Sequence, residues 1–209
     1  MFFLVKKYFD LIFCENSLKM SRFKKLIMKT ILVFCGSAHG KSDKFSTVAR
    51  SLGQFLAQQN FHLLTGGGSV GLMGEVANAA LEHNGKVTGI IPEFLENREV
   101  GHQQLTELIV VDNMHTRKRK MYEMADAAIV LPGGVGTMDE CFEYLCWNGL
   151  GLLQGPLGIL NVDNFYTPLI QQIDLMIEEG FIRTSAKDLY FSSDEVSDLM
   201  SILLKKISL

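Results

Sequence analysis

Only four cysteines, four prolines and one tryptophan occur among the 209 residues. Cys14 and Cys35 are isolated, and Cys141 and Cys146 lack the C-x-x-C spacing of a zinc or redox site, so a disulfide scaffold is excluded and no metal site is expected. Reduced thiols of this kind fit a cytoplasmic protein. The scarcity of proline beside 19 glycines, with 47% hydrophobic and 21% charged residues, excludes a low-complexity or disordered chain and fits a compact α/β protein. Internal repeats and a linker to a second domain are missing too, and the length leaves room for one domain with a substantial core.

Basic residues are concentrated at the start. The first 29 residues hold Lys6, Lys7, Lys19, Arg22, Lys24, Lys25 and Lys29 against Asp10 and Glu15, which makes +5 there and −8 in the remainder of a chain whose net charge is −3. In MFFLVKKYFDLIFCEN, Val5, Tyr8, Phe9 and Ile12 recur at helical spacing and predict an amphipathic surface helix. Asp10 interrupts the apolar run and no small-residue cleavage site follows, which argues against a signal peptide, and the stretch is too short and too charged to span a bilayer. Residues 1–27 are therefore read as a basic extension to a domain over 28–209, with Met20 or Met28 as an alternative start. Contact of this extension with a membrane surface or with nucleic acid is the competing reading, and no nucleic-acid partner is expected.

From Thr30 onward short apolar runs alternate with longer amphipathic segments. The pattern predicts strands over 30–34, 62–65, 86–91, 107–111, 127–131 and 157–161, and helices over 42–59, 71–83, 114–125, 137–150, 165–179 and 193–205. Such βαβ alternation gives a doubly wound parallel sheet with helices on both faces. Three of the strands run into glycine-bearing turns: CGSAHG, TGGGSVGLMG and PGGVGT. In an open parallel sheet ligands bind beyond the carboxyl ends of the strands, where the strand order reverses. Glycines also simply make tight turns, but three such loops at one edge favour a nucleotide or phosphate ligand. None reads G-x-x-x-x-G-K-[ST], and the first lacks G-x-G-x-x-G, which disfavours a P-loop NTPase and an NAD site.

Two charged elements stand out. In PGGVGTMDE a glycine turn at a helix start offers backbone N–H groups to an anion, with the Thr137 hydroxyl alongside. Thr137 to Glu140 also spells a capping box, in which the glutamate reaches back to the helix N-terminus. In MHTRKRKMYEM, helical geometry at about 100° per residue puts Arg117 and Lys118 on one arc with Met114 and Met121, while Arg119 and Lys120 point away. A cation on the inward face needs an anion, either a carboxylate or a ligand.

On these strings, together with GGGSVGLMGEVANAAL (66–81), LTELIVVDNMHTRKRKM (105–121), LPGGVGTMDECFEYLCW (131–147) and LGILNVDNFYTPLI (157–170), the chain resembles the Lonely Guy (LOG) family of nucleoside 5′-monophosphate phosphoribohydrolases, often labelled "possible lysine decarboxylase". The resemblance implies a single-domain Rossmann-like fold and hydrolysis of AMP or an N6-modified AMP to free base and ribose 5-phosphate. It implies Arg117 and Glu140 as the catalytic pair, and Lys118 with Gly133, Gly134, Val135, Gly136 and Thr137 as nucleotide-holding residues. Glu99 matches a substrate-contacting position, and Met114 is a candidate wall for the base. Cys146 replaces a family threonine, Asn148-Gly149 replaces Ala-Gln, and Leu153-Gln154-Gly155 replaces a more polar turn; these departures are expected beside the pocket. A homodimer or larger homo-oligomer is implied, and no cofactor.

Cleavage at C1′ builds positive charge on the ribose and negative charge on the departing base. A carboxylate stabilises the first and can activate water, and a fixed guanidinium receives the second. The glycines would then hold the 5′-phosphate while Glu140 faces the far side of the ribose. Lysine decarboxylation needs a Schiff-base lysine for pyridoxal phosphate, and no strand or loop lysine is placed for it. A non-catalytic nucleotide or molybdenum-cofactor carrier on the same fold is the alternative.

Overall fold

A computed structural model describes residues 28–99, 101–182 and 189–207, with the side chains of 97–99 excepted. The amphipathic helix expected in residues 1–27 lies outside the described residues. In chain order the elements are β1 (Thr30–Phe34), α1 (Asp43–Gln58), β2 (His62–Thr65), α2 (Gly71–Glu82), β3 (Lys86–Pro92), α3 (Glu93–Glu99), β4 (Glu107–Val111), α4 (Met114–Met124), β5 (Ala127–Val130), α5 (Val135–Gly149), β6 (Leu157–Leu160), a 3-10 turn (Val162–Asn164), α6 (Thr167–Glu178), β7 (Phe191–Ser193) and α7 (Val196–Ile207).

The strands form one sheet in the order β4-β3-β2-β1-β5-β6-β7, and every neighbouring pair is parallel. Alternation along the central strand β1 divides the core, because successive side chains leave opposite faces of a strand. Ile31, Val33 and Cys35 pack with α1, α2 and α7 through Leu52, Leu56, Val76 and Leu203. Leu32 and Phe34 pack with α4, α5 and α6 through Met121, Tyr122, Tyr144 and Ile173. The expected doubly wound α/β sheet is what the chain forms.

The main departures from expectation concern β7, α3 and the starts of α5 and α6. Strand β7 occupies 191–193, a stretch the hydropathy pattern left unassigned up to the expected start of the last helix at Ser193, and that helix begins at Val196. The ladder of β7 to β6 is a tertiary contact for a segment with two serines and no apolar alternation. Helix α3 was missed because EFLENRE is short and polar. Helix α5 begins at Val135, two residues ahead of the expected start, since Gly134 is extended (φ −94, ψ −157) and serves as its N-cap. Helix α6 begins at Thr167 with proline in its first turn, where Pro is pre-organised for a helix start. Among the described residues no helix is long and apolar enough to cross a membrane.

Candidate active site

The chain winds from β1 outward to β4, then returns to place β5 on the other side of β1. The crevice between the carboxyl ends of β1 and β5 is therefore the topological switch point at which such sheets bind ligands. The loops there are tied together. Leu131 N–H donates to Phe34 O at 2.8 Å, Gly36 N–H to Pro132 O at 3.0 Å, and Met73 N–H at the start of α2 to Gly36 O at 3.3 Å. Below them the buried Tyr166 hydroxyl donates to Leu131 O at 2.7 Å, which fixes the strand end ahead of Pro132. A cavity of about 260 Å³ opens here, lined by Cys35, Gly36, Ser37, Met73, Arg117, Glu140 and residues 134–137.

Helix α5 points its first turn into this cavity. No side chain caps it, and the first-turn N–H groups of any helix lack intrahelical partners. Gly133 is required by packing, because a Cβ there would stand 2.1 Å from Thr137 Oγ1 and 2.9 Å from Gly36 N. Gly134 and Gly136 are different: a Cβ on either would meet nothing within 4 Å among the described residues. The protein itself does not need glycine at those two positions, so their bareness leaves room for something outside the chain.

With Gly134 as N-cap, Thr137 is the third helical residue and Glu140 the sixth. Glu140 therefore cannot make the capping box, whose glutamate sits at the third position. It lies one turn deeper, buried, with its carboxylate turned to Arg117: Oε1 is 3.4 Å from Nη1, and the two side chains are 12% and 6% exposed.

Arg117 sits in the first turn of α4. That helix is started by Asn113, whose side chain accepts from Thr116 N–H at 2.9 Å, a favoured N-cap arrangement. Its guanidinium is fixed on three sides. Nε donates to Ile90 O on β3 at 3.0 Å, Nη2 donates to Gly66 O after β2 at 3.1 Å, and Nη1 faces Glu140 with Met114 Sδ 3.9 Å away. The approach to Gly66 is so close that a Cβ there would stand 2.0 Å from Nη2.

Lys118 is buried next to Arg117 but turns aside from the cavity. Its Nζ lies 3.0 Å from both Asp139 Oδ2 and Glu143 Oε2. Burial pulls its pKa down, but Glu143 and Asp139 more than offset that, and the net shift is upward. Tyr122 completes the cluster by donating its hydroxyl to Glu143 Oε2 at 2.8 Å, and burial first, then Glu143, raise its pKa beyond the usual phenol range. The anions that meet the two inward cations are thus carboxylates of α5. Arg119 points outward and pairs with Glu123 at 2.8 Å.

The structure brings together Arg117, Glu140, Met114 and residues 133–137. It does not bring Cys146 to the cavity wall: Cys146 is exposed and six residues further along α5, roughly 9 Å of helix rise from Glu140. The departures at 148–155 are also not beside the pocket. Asn148 and Tyr144 both donate to Gly155 O, at 2.9 and 3.2 Å, and Gly155 packs against Asp126 ahead of β5, at the amino edge of the sheet. The Glu99 side chain lies outside the described residues.

Sequence reasoning missed an adjoining cavity of about 300 Å³, which shares Gly36, Ser37 and Gly134 with the first and adds His39, Phe45, Leu72, Pro132 and Phe165. Phe45 and Phe165 meet edge-on with ring centroids 5.6 Å apart. Both read as ordinary apolar positions of amphipathic helices, so nothing local marked them. A larger cavity of about 530 Å³, among Asp43, Lys44, Asp163, Asp194 and Glu195, shares no lining residue with the Arg117–Glu140 cavity. No cluster of metal-ligating side chains occurs among the described residues.

The model of the family described as "Possible lysine decarboxylase" matches residues 73–203. The chain is 43% identical over 185 residues to a probable cytokinin riboside 5′-monophosphate phosphoribohydrolase of Oryza sativa subsp. japonica, covering 88% of this chain and 73% of that protein. It is 46% identical over 160 residues to a cytokinin riboside 5′-monophosphate phosphoribohydrolase of Rhodococcoides fascians, covering 76% of this chain and 81% of that protein. Among solved structures, the molybdenum cofactor carrier protein of Chlamydomonas reinhardtii superposes with a TM-score of 0.67 at 19% identity, over 87% of this chain and 99% of that one; at that identity the likeness is one of fold. By the family match and by identities above 40% over most of its length, the chain belongs to the LOG family, the one also described as possible lysine decarboxylases.

Proposed function

We propose that this protein hydrolyses the N-glycosidic bond of a purine nucleoside 5′-monophosphate, AMP or an N6-modified AMP, to free base and ribose 5-phosphate. The observation that carries the reading is the buried Arg117–Glu140 pair in a cavity also lined by the uncapped, glycine-bare start of α5. The 5′-phosphate takes the N–H groups at residues 134–137, where the helix dipole favours an anion. The C1′–N bond breaks with its electron pair leaving on the base, which Arg117 receives as a fixed cation. Glu140 faces the cationic ribose and takes a proton from the water whose oxygen bonds to C1′. No cofactor is needed for this step.

A decarboxylase is disfavoured because the inward-facing Lys118 is held by two carboxylates and does not line the cavity. The carrier reading has the fold likeness in its favour, but a carrier has no need of a carboxylate opposite a buried guanidinium. A homodimer or larger assembly is supported by the exposed Phe142, Leu150 and Leu152 along and beyond α5, a patch that a partner could cover; light scattering of the purified protein checks this. We place the activity in the cytoplasm. The test of the function is release of free base from AMP by the wild type and its loss in Glu140→Gln.

A further inference from the structure

The guanidinium of Arg117 leans on a carbonyl that belongs to a run of three glycines. Gly66 O accepts from Nη2, and Gly66, Gly67 and Gly68 follow one another with no side chain to brace them. Glycine runs lose the most conformational freedom on folding, so the shape of this turn must be imposed from outside. Thr65 Oγ1 accepts from Gly67 N–H at 3.2 Å and Met73 Sδ lies 3.1 Å from Gly68 N. A further restraint comes from the segment after α3: Gly101 forms an antiparallel bridge with Gly68, and His102 N–H donates to Gly67 O at 2.9 Å.

His102 is itself pinned. It is 4% exposed. Gln104 N–H donates to its Nδ1 at 3.2 Å, which puts the ring proton on Nε2, and Nε2 stands 2.8 Å from Asn78 Oδ1 on α2. Both ring nitrogens are thus used in opposite senses, and a doubly protonated ring would aim an N–H at the Gln104 N–H. Burial, which keeps its pKa below the ordinary histidine value, favours the same neutral form.

We infer that His102, clamped as the Nε2–H tautomer between Asn78 and Gln104, is a positioning residue that sets the Arg117 guanidinium through the 66–68 turn. It does not line the cavity and acts only through the carbonyl of the neighbouring glycine. The inference rests on the proposed hydrolysis for its catalytic consequence, and on the hydrogen bonds alone for its structural one.

The test uses full-length His102→Ala, His102→Gln and Asn78→Ala. Steady-state kinetics with AMP are measured alongside amide hydrogen exchange of the peptide covering 66–69. The glutamine amide can still donate to Asn78, so His102→Gln also guards against a failure of the alanine variant to fold. The expected result for both alanine variants is a kcat lowered roughly tenfold to a hundredfold, the scale of a misplaced catalytic group. KM should stay within about twofold because the start of α5 is untouched, exchange at 66–69 should be faster, and His102→Gln should recover much of both. Unchanged kcat per folded molecule, a rise in KM in step with any loss, or unaltered exchange at 66–69 each overturn the inference. If the wild type cleaves no nucleotide, the proposed reaction fails, and the exchange comparison by itself decides whether His102 holds the turn.

Discussion

Replacing Glu140 by glutamine removes a charge while keeping the shape and one acceptor oxygen opposite Arg117. Over the 3.4 Å between Oε1 and Nη1, an effective dielectric of about 20 gives an attraction of about 5 kcal/mol, most of which is offset by taking both groups out of water. Arg117 keeps its bonds to Ile90 O and Gly66 O, and the amide still accepts, so the net cost to stability should be about 1–3 kcal/mol, the size of one charged hydrogen bond. For a domain of this size that is a fall in Tm of several degrees. Loss of the carboxylate as general base should cut kcat about 10²-fold or more, about 2.7 kcal/mol or more on the barrier. Chromatographic quantitation of adenine released from AMP, normalised to the folded fraction from circular dichroism, separates the two effects. A variant whose activity per folded molecule equals that of wild type would refute the catalytic role and leave Glu140 as a structural counter-ion.

The glycines of the α5 turn should divide in two. Gly136→Ala, whose Cβ meets nothing within 4 Å among the described residues, should keep or slightly raise Tm, since alanine is favoured over glycine in a helix by about 1 kcal/mol, while raising KM for the monophosphate. Gly133→Ala should lower Tm and abolish activity together, because the new Cβ collides with Thr137 and Gly36. Stability should also have a pH window. Burial lowers the pKa of His102, and burial followed by Lys86 lowers that of His62. As pH falls below about 6.5 the unfolded chain protonates first, so stability drops until the pH is below the folded values, and it is flat above the unfolded value. At the alkaline end burial pushes Cys141 and Tyr190 up to about 12. The unfolded chain then ionises first and stability falls as pH rises through the unfolded values, which urea titrations across the range would register.

What the sequence revealed and what it hid divide along local and non-local physics. Strand and helix periodicity located the sheet, and angular spacing separated Arg117 and Lys118 from Arg119 correctly, because both are properties of a single element. Residue grammar at Thr137 to Glu140 pointed equally to a cap, and the structure decided by where the helix starts: Gly134, extended, takes the capping position. The partners of Lys118 lie on a different helix, so no local pattern could choose between a ligand and Asp139 with Glu143. Cys146 and Asn148 looked close to the site in sequence, yet helix rise carries them towards the far edge of the sheet. Strand β7 exists through its ladder to β6 and has almost no signature of its own.

Full-length protein incubated with AMP, N6-isopentenyl-AMP and adenosine, with products separated by chromatography, tests the central claim most directly. Free base and ribose 5-phosphate should appear from the monophosphates. Adenosine should react far more slowly, because phosphate binding at the start of α5 supplies energy that the reacting bond uses. Tight nucleotide binding without any product, or cleavage of adenosine as fast as AMP, would contradict it.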